Sequence, residues 1–228
     1  MDVVKNLRRL QERIVTAAMR AGRNPGEIKL VAVTKTVPVE KIKEALDCGV
    51  NRLGENRVQE FLNKYQQLPP GVEWHFIGHL QTNKVNKIIG KVHLIHSLDR
   101  WELAEELHQA AIKRGQVAKV LVQVNVAGEK SKYGLAPSET VDFVASATGL
   151  AGLSVEGLMT IAPWSVNPEE VRPVFRQLKD IARKVEDRAP GSKMDYLSMG
   201  MSGDWEVAVE EGANILRIGT AVFGERDV

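Results

Sequence analysis

The chain has 228 residues, 43% of them apolar and 26% charged, with a formal net charge of +2 at neutral pH. That length suits one large domain or two small ones, and the charge balance is too even to point to nucleic acid or a membrane surface as a partner. The one cysteine, Cys48, excludes an internal disulfide and a multi-thiolate metal site. Met1-Asp2-Val3-Val4-Lys5 lacks the basic-then-apolar order of a secretion signal, and no apolar run nears the roughly 18 residues of a membrane span, so a cytoplasmic protein is expected.

Val3, Leu7, Leu10, Ile14 and Ala17 recur at helical spacing and predict an amphipathic helix over about 2–21, stopped by Gly22 and Asn24-Pro25-Gly26. From Leu30 onward a unit repeats: a short β-branched apolar run, a helical stretch, then a glycine. The predicted strands are 30–34, 51–55, 74–78, 92–97, 118–126, 154–160, 196–199 and 215–218. Between them lie helices ending near Gly49, Leu68, Gly90, Gly115, Thr148, Arg188 and Glu211. Asn56-Arg57-Val58-Gln59 and Asp99-Arg100-Trp101-Glu102 have capping-box spacing, and Asn167 is expected to cap a helix that Pro173 either bends or delays. Eight strand–helix units without a linker imply a parallel sheet, and their number suits a closed (β/α)8 TIM barrel better than an open sheet. No Gly-x-Gly-x-x-Gly turn follows the first strand, which weighs against a dinucleotide fold. The reading is one domain over 1–228.

A barrel of this kind carries its chemistry at the C-terminal ends of its strands. There the pattern places Lys35, Asn56, Gly78-His79, Ser97, Asn125, Met159-Thr160, Met199 to Ser202, and Gly219-Thr220. Lys35 is either a solvated strand end or an amine at a barrel mouth, where desolvation favours the neutral, nucleophilic form. Ser202 and the small residues around it, with Gly219-Thr220, offer backbone donors to an anion; alternatively Ser202 is a plain helix cap. Arg217 interrupts an apolar strand, so it faces a ligand or an ion-pair partner such as Glu55 or Glu156. Asn56 is by default a helix cap. His75 reads as a core residue, His79 has no carboxylate partner by spacing, Cys48 reads as buried and inert, and no metal site is expected.

Seven segments carry a family resemblance: Val31-Ala32-Val33-Thr34-Lys35, Gly54-Glu55-Asn56-Arg57-Val58-Gln59-Glu60, Trp74 through Lys84, Lys132-Tyr133-Gly134, Gly157-Leu158-Met159-Thr160, Leu197 through Asp204, and Arg217 through Gly224. In this order they resemble the pyridoxal 5′-phosphate (PLP) homeostasis proteins, which are similar to the barrel domain of alanine racemase. The resemblance implies a PLP-binding protein of vitamin B6 homeostasis. It implies that Lys35 forms a Schiff base with the cofactor, that Ser202, Gly219, Thr220 and the turn at Met201 hold the phosphate, and that Asn56 lies near the ring. Arg217 is similar to an arginine beside the pyridine nitrogen, which donates a hydrogen bond without readily giving up a proton. His79 stands where many members carry proline, which puts the loop geometry in question. The chain ends soon after its eighth strand, so the β domain that completes alanine racemase is expected to be absent. A monomeric, non-catalytic carrier follows, with PLP-dependent apoenzymes as recipients. The alternatives are a weak amino-acid racemase, with Tyr133 or His79 as base, and a cofactor-free barrel isomerase.

Overall fold

The computed structural model describes residues 2–189 and 191–225. Met1, Pro190 and residues 226–228, which the single-domain reading includes, lie outside the described residues. Eight parallel strands close into a barrel: β1 (Lys29–Val33), β2 (Arg52–Glu55), β3 (Glu73–Phe76), β4 (Leu94–Leu98), β5 (Ala118–Gln123), β6 (Leu153–Met159), β7 (Tyr196–Ser198) and β8 (Ile215–Ile218). Each pairs with the next, and β1 pairs with β8 in the register Lys29↔Ile215 and Val31↔Arg217.

Helices surround the barrel: α1 (Val3–Arg20), α2 (Val39–Asp47), α3 (Val58–Gln67), α4 (Val85–Ile88), α5 (Trp101–Ile112), α6 (Thr140–Ala147), α7 (Arg172–Arg188), α8 (Trp205–Glu210) and α9 (Thr220–Phe223). The additional N-terminal helix α1 buries Val3, Leu7, Leu10, Ile14 and Ala17, the residues that its periodicity selected. It packs beside α2, α8 and α9, tied down by Asn6 Nδ2 to the Val222 carbonyl at 3.1 Å and by Arg23 Nη1 to the Val209 and Ala213 carbonyls at 2.8 and 2.6 Å. Pro173 acts as expected. Asn167 caps a short 3-10 turn over Pro168–Val171, and the α-helix begins only at Arg172, where proline's missing N–H costs nothing.

The two capping boxes are corrected. Arg57 and Arg100 occupy the N-cap positions, and neither helix has a side-chain cap. Asn56 is thereby released to the barrel mouth, and Asp99 turns to Arg100 and His79. Cys48 is half-buried at the end of α2 rather than buried.

Alternation along the strands divides the core. The larger part lies between barrel and helices. Inside the barrel, Val31, Leu94, Leu121, Met159 and Ile215 form a small apolar plug. Gly54 is needed beside it, because a Cβ there would come within 2.9 Å of Val31 Cγ1. Gly157 has φ +155°, and a Cβ there would meet the Tyr196 carbonyl across the β6–β7 pairing. Gly157→Ala is expected to cost about 1–3 kcal/mol of stability, read from urea unfolding.

Candidate functional site

At the C-terminal ends of the strands lies a cavity of about 800 Å³. Its walls include the seven residues that the resemblance assigns to a cofactor: Lys35, Asn56, Met201, Ser202, Arg217, Gly219 and Thr220. Residues from both ends of the chain meet here because β1 closes on β8.

Lys35 is half-buried at the cavity, one residue beyond a buried polar cluster on the outer side of the barrel. Lys64 of α3 donates to the Thr34 carbonyl at 2.6 Å and pairs with Glu55 Oε1 at 2.7 Å. Thr34 Oγ1 donates to the same carboxylate oxygen at 2.6 Å. Next to Lys35, Thr36 has φ +60°, the only positive value outside glycine among the described residues. A β-branched residue there is strained. Its N–H donates to Glu60 Oε2 at 2.9 Å, and Val37 N–H to the Thr34 carbonyl at 2.9 Å, so the turn is held from both sides. Burial pushes the Glu55 carboxyl up, and the hydrogen bonds from Lys64 and Thr34 oppose it.

Arg217 is 4% exposed. Neither predicted ion-pair partner reaches it: Glu55 holds Lys64, and Glu156 lies 3.8 Å from Lys119. Its Nη1 donates to Ser198 Oγ at 2.6 Å and its Nη2 to the Thr160 carbonyl at 2.8 Å. Burial lowers the guanidinium to about 10, opposed by the Asp204 carboxylate, so it remains charged near neutrality.

The turns after β7 and β8 meet at this wall. Ser202 is not a helix cap; its Oγ accepts from Ala221 N–H at 3.3 Å and links the two turns. Asp204, whose charge would oppose an anion, instead accepts from Met201 N–H at 2.6 Å; burial raises its carboxyl, and the Met201 hydrogen bond and Arg217 oppose that. Among the described residues the N–H groups of Ser202, Gly203 and Thr220 have no protein acceptor. Asn56 Oδ1 is buried without a partner.

His79 does have a carboxylate partner, Asp99 at 3.2 Å, which follows β4, 20 residues on, and so could not be found by local spacing. It stacks on Tyr133 with ring centroids 3.8 Å apart, and neither residue lines the cavity. Sequence reading missed Lys64 and the His75–His96 pair. Lys64 lies three residues after Phe61 on the buried face of α3, a signal that was present.

Residues 5–227 match the family described as alanine racemase, N-terminal domain. A pyridoxal phosphate homeostasis protein of Aquifex aeolicus is 50% identical over 99% of both chains. One from Escherichia coli K12 is 40% identical over 99% of this chain and 97% of its own. This chain belongs to the pyridoxal phosphate homeostasis proteins. Among solved structures, PipY of Synechococcus elongatus PCC7942 with PLP bound superposes with a TM-score of 0.87 at 34% identity, covering 97% of this chain and 100% of that one. A homeostasis-family barrel therefore presents this cavity.

Removing Lys64 would leave Glu55 buried without its cation. Lys64→Met is expected to cost about 3–5 kcal/mol at pH 8. The folded Glu55 would then hold its proton to higher pH than the unfolded chain does. The loss therefore grows as pH rises from the ordinary carboxylate range through the raised folded value, and urea unfolding at pH 4.5 and 8 measures the difference.

Proposed function

We propose that this chain binds PLP in the cavity through Lys35 and serves vitamin B6 homeostasis as a carrier rather than a turnover enzyme. The observation that carries this reading is one cavity wall with a lysine at the end of β1, a buried charged arginine on β8, and two donor turns linked through Ser202. The residues present fit the group. A dianionic phosphate suits the N–H groups of Ser202, Gly203 and Thr220, the unpartnered Asn56 Oδ1 offers an acceptor, and Arg217 has N–H groups beyond the two used within the protein. PipY's bound PLP and the names of the relatives support the same assignment.

When bound, PLP supplies an aldehyde carbon electrophilic toward a primary amine, and a ring that is an effective electron sink only when its nitrogen is protonated. The chain's own contribution is placement. Thr34, Glu55, Lys64 and the strained Thr36 turn fix the end of β1 and hence the Lys35 amine. Ser202 and Thr220, with Gly219 and the turn at Met201, anchor the phosphate. Arg217 offers a hydrogen bond to the ring nitrogen and holds its own protons. Asp204 also lines the cavity, with its Oδ1 engaged by Met201 N–H. His79 and Tyr133, the bases that a racemase would use, stack on each other off the cavity wall. We read the protein as a single cytoplasmic domain over 1–228 that acts as a monomer and passes PLP to apoenzymes. No helix among the described residues is long and apolar enough to cross a membrane.

Incubation with PLP is expected to give a visible absorption band, and borohydride should fix the label on Lys35, seen by peptide mass. Lys35→Ala should lose both. An unchanged band in that variant, or a label at another lysine, would remove Lys35 from the site. Loaded protein is expected to exchange the α-proton of alanine into deuterated water no faster than free PLP does; enzyme-like exchange would favour the racemase reading.

A further inference from the structure

A line of hydrogen bonds runs through the inside of the barrel beneath the cavity. Arg217 Nη1 donates to Ser198 Oγ at 2.6 Å, Ser198 Oγ lies 2.9 Å from His96 Nδ1, and His96 Nε2 lies 2.8 Å from His75 Nδ1. The four side chains come from β8, β7, β4 and β3, and all are buried.

The line has a direction. A guanidinium only donates, so the Ser198 oxygen accepts from Arg217 and its proton must go elsewhere. The acceptor in reach is His96 Nδ1. His96 then carries its proton on Nε2 and gives it to His75 Nδ1, leaving the His75 proton on Nε2. That atom is the end of the line and is buried without a partner. The reversed assignment would leave the Ser198 proton unsatisfied as well, so the forward one satisfies more groups.

The direction has an electrostatic consequence. The negative end of each dipole faces the guanidinium: the serine oxygen, then Nδ1 of each imidazole. Buried cations are ordinarily held by carboxylates. Among the described residues Arg217 has no salt bridge, and Asp204 is hydrogen-bonded to Met201. Asp204 acts on the guanidinium only through space, so in direct contact the charge is met by aligned neutral dipoles, which solvate it without cancelling it. Neutrality of the imidazoles is part of this. Burial lowers His96 well below its usual value, aided by His75 and Arg217. Burial brings His75 down to about 3, aided by the neighbouring His93, Arg52 and Lys29.

We propose that His96, with Ser198 in front of it and His75 behind, is the positioning residue for Arg217, fixing the guanidinium plane and presenting its full charge to the cofactor ring nitrogen. The inference rests on the PLP reading above for its ligand. Its consequence is an electron-poor wall that disfavours a proton on the ring nitrogen.

Two measurements test it. In the protein without cofactor, 15N correlation spectra of the imidazoles should show His75 and His96 as neutral Nε2–H tautomers from pH 5.5 to 8. A charged or Nδ1–H His96 would overturn the proposed direction. In protein loaded with PLP, Ser198→Ala and His96→Leu should displace the visible band and weaken PLP binding about tenfold, while borohydride still labels Lys35. His96→Gln, which offers an acceptor and a donor, should restore much of both. A band and dissociation constant unchanged in Ser198→Ala would overturn the positioning role, and that variant, lacking one hydroxyl, decides the matter if His96→Leu does not fold. If the wild-type chain takes up no PLP, the function proposed above fails, and the cofactor-facing role of His96 fails with it. Uptake with superimposable variant spectra would sink this inference alone.

Discussion

A positive charge inside the barrel sets the terms for everything around it. Placing a guanidinium at 4% exposure costs several kcal/mol unless its field and its N–H groups are met. The interior responds by dividing. Val31, Leu94, Leu121, Met159 and Ile215 pack as an apolar plug, while His75, His96 and Ser198 give polar atoms to the charge. Small residues make this possible. Ser198 brings a hydroxyl rather than a bulky side chain to Arg217, and Gly54 leaves room for Val31.

Strand alternation then separates support from site. Thr34 and Glu55 face outward to Lys64, while Lys35 and Asn56, the next residues along, face the cavity. Neighbouring residues on opposite faces of one strand act as anchor and tip. Movement of α3 relative to the barrel is resisted by a buried ion pair, and Thr36 holds its unfavourable backbone angle because Glu60 binds its N–H. The lysine end is thus stiffened from outside the barrel, and the arginine end from inside it.

Sequence made the barrel legible because each strand is short, apolar and followed by a helical stretch, and because α1 has a clean amphipathic period. It also placed Lys35, Asn56, Met201, Ser202, Gly219 and Thr220 at strand ends, where the structure puts them on the cavity, but it placed His79 there too, which lies off the cavity wall. Local pattern misled at Asn56 and Asp99: cap spacing was satisfied, but the chain bends one residue later, and both side chains meet tertiary partners or the cavity instead. His75–His96 joins β3 to β4, and His79–Asp99 joins the segments that follow those two strands, so no spacing rule could pair them. Lys64 was concealed by its charge, since a lysine on an amphipathic helix is read as solvated even when its phase puts it on the buried face.

Closure of β1 on β8 has a consequence for how the protein comes into being. Lys35 lies near one end of the chain, and Arg217, Gly219 and Thr220 near the other. During synthesis the amine emerges long before the residues that complete its cavity, and a nascent chain has no pocket to offer. The site is a product of the last, most non-local pairing, the kind that forms slowly because a long loop must close first. A ligand that bridges β1 and β8 would therefore act as a staple across the barrel's seam, and its occupancy would report on a finished fold.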